Sequence, residues 1–193
     1  MVYRGLLMCA VAVGLAGCVS QQAVEEAQGV FERAPEVRMT ATQVAVPLIA
    51  GEGGRRYVEV RIHNRKCLFL VDSGAIPTLC SDSVRTTFGF RGSPMPHGLV
   101  YGGGGGVSSS LGVIDQMTIG TCQIRALPCF FVDLKDWNKK EAVAQGRAID
   151  GILGSLFLSQ VAASVDYGSN LLTLRLPSRV PVTVSQQVRS PSR

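Results

Sequence analysis

Histidine is nearly absent from this sequence: His63 and His97 are the only two among 193 residues. No CxxC pair stands beside them, so a zinc site, which needs several Cys or His ligands at short spacing, has little to build on. Aromatic residues are also scarce, at 6%, and few lie near the basic residues that give the net charge of +5. A nucleic-acid surface therefore lacks support. The glycine run Gly102 to Gly106 is succeeded by no GK[ST] and opens no helix pattern, which argues against a phosphate-binding loop. Internal duplication and an interdomain linker are missing as well, which leaves one domain and no expected metal or cofactor.

What is present centres on residues 67–74, Cys-Leu-Phe-Leu-Val-Asp-Ser-Gly. Four consecutive apolar residues, Leu68 to Val71, with turn chemistry directly after them, predict a strand buried on both faces. Asp72 then falls where a buried strand opens into a loop, a costly place for a charge without a partner. Gly74 lets backbone approach that carboxylate, and Ser73 offers a short hydroxyl to lock the loop. The arrangement suits an acid–base carboxylate. Asp-Ser-Gly is also ordinary turn vocabulary, and it gains weight only from motifs further along the chain.

At the N-terminus, Arg4 precedes an apolar stretch from Gly5 to Gly17, too short to span a bilayer but right for a signal peptide. Leu15-Ala16-Gly17-Cys18 resembles a bacterial lipobox. The resemblance implies cleavage before Cys18, lipid on its thiol and acylation of the new amino group, enough chains for stable anchoring. In a Gram-negative host, Val19 after the cysteine favours the outer membrane, facing the periplasm. Export leaves Cys67, Cys80, Cys122 and Cys129, an even number in an oxidising compartment. Two disulfides in any of three pairings, or small buried thiols, fit that count.

Residues 18–41 are polar and mixed in charge, and read as a tether with room for a short helix. Thr42 to Ile49, Tyr57 to His63 and the strand leading to Asp72 predict three antiparallel strands. Residues 75–81 read as another strand, with a polar connection from there to Phe90. His97 lies in a Pro/Gly-rich loop and is assigned no role. The glycine run, flanked by apolar residues, reads as a hairpin tip against which an extended peptide can lie. Further strands are expected at 111–114, 116–119, 122–126 and 129–132. Residues 136–147 read as a helix or a surface loop. Residues 148–158 predict a strand, a glycine turn and a short helix, and residues 163–176 a closing hairpin. Residues 177–193 form a basic, Pro/Ser-rich tail.

The order of these elements resembles the retropepsin-like aspartic proteases over residues 42–176. Val71-Asp72-Ser73-Gly74-Ala75, the Gly-rich hairpin near Tyr101, Asp150-Gly151-Ile152-Leu153-Gly154, and Val165-Asp166-Tyr167-Gly168 carry the likeness. It implies an all-β closed barrel with a flap hairpin and one short helix, and an endopeptidase acting on peptide or protein substrates. Asp72 would be the catalytic carboxylate, with Ser73 bracing the loop and Gly74 shaping it. Tyr101, Gly102, Gly103, Gly104 and Gly105 would form the flap over the substrate. Asp150 would orient its turn, and Asp166 would belong to the closing hairpin. Hydrolysis by this route needs two carboxylates sharing a proton, yet the chain holds a single Asp-[Ser/Thr]-Gly. The family's answer is a homodimer in which two copies of Asp72 meet on a twofold axis. The competing expectation is a non-catalytic lipoprotein that reuses the fold to bind peptide or support the envelope.

Overall fold

A computed structural model of the chain describes residues 20–102, 105–140 and 146–176. The expected signal peptide, the lipidation site Cys18, the flap glycines Gly103 and Gly104, and the tail 177–193 lie outside the described residues. In chain order the first elements are α1 (Gln21–Phe31), β1 (Glu36–Arg38), β2 (Gln43–Ala50), β3 (Arg56–Ile62), β4 (Arg65–Val71) and β5 (Leu79–Ser81). Next come α2 (Asp82–Phe88), β6 (Gly92–Gly102), β7 (Gly105–Ile119), β8 (Cys122–Val132) and α3 (Lys135–Lys140). The last are β9 (Gly151–Leu153), α4 (Ser155–Gln160), β10 (Ser164–Asp166) and β11 (Leu171–Arg175).

The strand anticipated from the Leu68–Val71 run is β4, and it is covered on both faces. Cys67, Leu68, Phe69 and Leu70 are all 4% exposed or less. Cys67 and Phe69 enter one apolar cluster, while Leu68 and Leu70 enter another, as the two-residue period of a strand requires. Each such burial contributes roughly 2 kcal/mol, which fixes the backbone that delivers Asp72.

Around β4 the hydrogen bonding closes into a ring. β4 pairs antiparallel with β3 and parallel with β9; β9 pairs antiparallel with β5, and β5 parallel with β8. β8 pairs antiparallel with β7, and β7 returns to β3 through Arg61↔Thr118 and Ile62↔Met117. Six strands thus form the barrel, and closure removes their free edges. Val58, Val60, Ile62, Phe69, Ile114, Met117, Ile124 and Leu153 belong to the cluster that fills it. β2, β11 and β10 extend the sheet beyond β3 as antiparallel neighbours.

Several expectations change. Four α-helices stand among the described residues rather than one. The connection after Ser81 is α2, capped by the Ser81 side chain and ended by Gly89 in the left-handed region. The Pro/Gly-rich loop holding His97 is part of β6, with its register shifted between Met95 and Val100. The strands expected at 111–114 and 116–119 are one strand, β7, and those at 122–126 and 129–132 are one strand, β8. Of residues 75–81 only the last three are strand. The stretch read as a tether is also docked, because Ala23 and Ala27 on α1 are buried and β1 pairs with β8.

The disulfide expectation is corrected too: Cys67, Cys80, Cys122 and Cys129 are all free and buried. Register explains why. Cys80 lies opposite Phe131, so Cys129 is displaced two residues along the neighbouring strand. That offset puts the two Cα atoms about 8 Å apart, beyond disulfide reach. β9 separates Cys67 from Cys80. Burial pushes the Cys67 and Cys122 thiols up to about 11 and raises those of Cys80 and Cys129 as well. All four are thus protonated and unreactive at neutral pH.

This packing can be checked in two ways. Iodoacetamide without reductant should leave these four cysteines unlabelled in the folded chain and label all four in guanidinium, read by peptide mass spectrometry. Gly151→Ala should destabilise the fold by about 3 kcal/mol in urea unfolding. An added Cβ there meets the Phe69 ring at 2.2 Å and the Leu79 carbonyl oxygen at 2.6 Å.

Candidate active site

The Asp72 loop is held by β9 and α4 rather than by itself. The Asp72 N–H donates to the Leu153 carbonyl at 3.1 Å, continuing the β4–β9 pairing by one residue. Past Gly74 the loop turns across the start of α4. There the Ser155 N–H donates to the Ala75 carbonyl at 2.7 Å and the Leu156 N–H to the Ile76 carbonyl at 3.1 Å. Those are opening amides of a helix that has no side-chain cap, so the loop supplies acceptors that the helix lacks. Gly154 is obligatory at this crossing: a Cβ would lie 2.3 Å from the Pro77 carbonyl oxygen and 2.7 Å from that of Ile76.

Within the loop, the Gly74 N–H donates to Asp72 Oδ1 at 2.8 Å. Asp72 is half-buried, whereas Ser73 and Gly74 are exposed. Among the described residues Asp72 Oδ2 and the Ser73 hydroxyl make no hydrogen bond within the chain. One carboxylate oxygen is therefore fixed by the loop's own backbone. Thr78, 2% exposed, receives the Gly154 N–H on Oγ1 at 3.4 Å.

The expected flap is the β6–β7 hairpin. Val100 pairs with Val107, Tyr101 with Gly106 and Gly102 with Gly105, so Gly102 and Gly105 flank the tip. Val100 and Val107 belong to or pack on the same apolar cluster as Leu70 and Ile152, and Ala75 packs there as well. The hairpin and the Asp72 loop thus share one apolar surface.

Sequence reasoning gives Asp150 the minor task of orienting a turn, and the structure gives it more. Its Oδ2 accepts the Leu68 N–H at 2.9 Å, its own N–H donates to the Leu68 carbonyl at 2.8 Å, and its carbonyl accepts the Ser81 N–H at 2.7 Å. One residue thereby bolts β9 to β4 and to β5. Its place immediately before Gly151-Ile152-Leu153-Gly154 is the only hint of this in the sequence. Asp166 sits, as expected, in the closing hairpin. Hydrogen bonds from the Ser169 hydroxyl and from the Ser169 and Gly168 N–H groups hold its carboxyl below the usual carboxylate range.

A ring closed by two parallel pairings, with an Asp-Ser-Gly loop at the end of one of them, defines a retropepsin-like fold. A family model described as aspartyl protease matches residues 58–157, just over half the chain. The chain belongs to the aspartyl protease family. No curated protein matches it. Among solved structures, a retropepsin-like aspartic protease from Rickettsia conorii is 16% identical, covering 75% of this chain and 95% of that one at a TM-score of 0.46. The protease of EIAV in complex with the inhibitor HBY-793 is 15% identical, covering 60% and 95% at 0.43. The retroviral protease-like domain of Ddi1 from Leishmania major is 18% identical, covering 67% and 89% at 0.42.

Asp150→Ala should cost about 1–3 kcal/mol in denaturant unfolding, because it strands the Leu68 N–H inside the barrel wall. Asp150→Asn, which keeps an acceptor oxygen, should recover most of that loss. Equal stability of the alanine variant and the parent would show that the clamp is dispensable.

Proposed function

We propose that the chain is an aspartic endopeptidase whose active form is a homodimer, with two copies of Asp72 meeting across a twofold axis. The observation that carries this reading is the single Asp-Ser-Gly loop in an aspartyl protease chain. Asp72 Oδ1 is held by the Gly74 N–H, while Ser73 and Gly74 lie bare at the surface. One such loop is half a site. Exposed, unpaired loop groups are what a second copy would cover, and a twofold contact repeats the same surface on both sides.

In the dimer the two carboxylates share one proton, because neighbouring like charges cannot both ionise easily. The ionised one takes a proton from a water, whose oxygen attacks the scissile carbonyl. The protonated one donates to the carbonyl oxygen as it gains charge. The resulting tetrahedral adduct collapses with proton transfer to the leaving amine, and the dyad returns to one shared proton. Ser73 would brace the two loops against each other, and the Tyr101–Gly105 hairpin would close over an extended peptide. The lipobox-like Cys18 would tether the enzyme to the outer membrane, facing the periplasm, where confinement raises the concentration of partners.

Cleavage of a peptide library, scanned from about pH 3.5 to 7, should peak in acid and vanish in Asp72→Asn. Specific activity should climb steeply with protein concentration. Full activity in a strictly monomeric sample would sink the dimer. A folded dimer that binds peptides and cuts none would instead be a binding module.

A further inference from the structure

One row of side chains crosses the outer face of the barrel without a break. Tyr57↔Leu70, Leu70↔Ile152, Ile152↔Leu79, Leu79↔Phe130 and Phe130↔Leu111 are successive register partners. Six residues on six strands therefore stand side by side, and they belong to or pack on a single apolar cluster. Leu70 lies two residues before Asp72, near the end of β4. Ile152 precedes Leu153, whose carbonyl holds the Asp72 N–H. The row thus passes directly beside the Asp72 loop, and the valines of the β6–β7 hairpin pack on the same cluster.

Its far end is covered by α1. The Phe31 ring lies 5.3 Å from that of Phe130, tilted by 43°, a favourable aromatic geometry. Ala23 and Ala27 are buried and Val30 packs on the cluster. Under this helix Phe130 is 5% exposed and Leu111 3%. The fit is nevertheless loose. A pocket of about 580 Å³ opens between Glu26 and Val30 on the helix and Ser93, Leu111, Val113 and Asp115 on the strands. With 11 residues, α1 is also shorter than the roughly 12–15 residues that stay helical unaided. Its two buried residues are both alanines, so its hold rests on Val30 and Phe31.

We propose that α1 occupies the outer end of the peptide groove, with Phe31 in an aromatic-accepting subsite floored by Phe130, and that substrate competes with it for that place. The proposal builds on the peptidase reading of the Asp72 loop. From Leu70 to Phe130 the row spans three strand spacings, about 14 Å, the reach of roughly four extended residues. Preferred substrates therefore carry an aromatic or large apolar side chain about four residues from the cleaved bond. β1, five residues after α1, is hydrogen-bonded to β8 at Glu36↔Arg125. A displaced α1 accordingly stays close and rebinds as an intramolecular competitor.

The full chain carries the test. Phe31→Asp should lower KM for library peptides about fivefold or more, since the occupant no longer excludes substrate, with kcat unchanged. Phe31→Trp should behave like the parent, and Phe130→Ala should lose the distal aromatic preference. A folded Phe31→Asp protein with parental KM overturns the proposal. In a separate arm, the same peptide pool is added to the Asp72→Asn chain and hydrogen exchange of the α1 amides is measured. Faster exchange on peptide binding supports displacement, even if no parent protein cleaves and the peptidase reading falls. Unchanged exchange with peptide bound, or no peptide bound at all, overturns it.

Discussion

The parallel pairing of β4 with β9 is the constraint on which the rest of the molecule depends. It is only three register pairs long, Phe69↔Gly151 to Val71↔Leu153, and so short a ladder would slip without a lock. Asp150 supplies the lock at one end, by grasping both backbone groups of Leu68. The Asp72 N–H on the Leu153 carbonyl supplies it at the other. Gly151 within β9 and Gly154 directly after it lie where any side chain would collide, Gly151 against Phe69 and Gly154 under Pro77. The position of Asp72 thus depends on residues near 150 as well as on the buried run that precedes it in the chain.

The two faces of the barrel divide the labour. The inner cluster is large, mostly branched aliphatic residues with Phe69, Phe131 and Phe157, and it gives the ring its stiffness. Free thiols belong there as small apolar volumes, since burial keeps them protonated. The outer cluster is different: it touches the Asp72 loop, the β6–β7 hairpin and α1 together. A surface shared among three chemically distinct segments is one whose occupancy can change without disturbing the core.

Much of this architecture is legible in the chain itself. Leu68 to Val71 announces a doubly buried strand because four apolar residues in a row leave no face for water. Ile152-Leu153-Gly154 stands out for the same reason, with a glycine where backbone must cross backbone. Long-range geometry is what stays hidden. Counting four cysteines suggests bridges, yet the register that holds Cys80 and Cys129 apart belongs to the sheet and not to the spacing. The docking of α1 escapes notice because its stripe is Ala23, Ala27, Val30 and Phe31 within an otherwise polar stretch. Only the presence of Phe130 gives that stripe a destination. Ser81, Asp82 and Gly89 spell the ends of α2, but its body, Ser-Val-Arg-Thr-Thr, has little helix propensity and reads as a loop.

The contact between Leu68 and Asp150 joins residues 82 apart in the chain, and this shapes the protein's birth. Closing a loop of that size costs about 4 kcal/mol of chain entropy before any packing offsets it. A ribosome adding about 5–20 residues per second delivers β4 roughly 4–16 seconds ahead of β9. During that wait the apolar run of β4 has the edge that β9 will cover still open. A nascent chain that stops short of residue 150 has an Asp-Ser-Gly sequence but no fixed Asp72 loop. The Asp72 loop therefore takes its shape only once β9 has emerged to hold it.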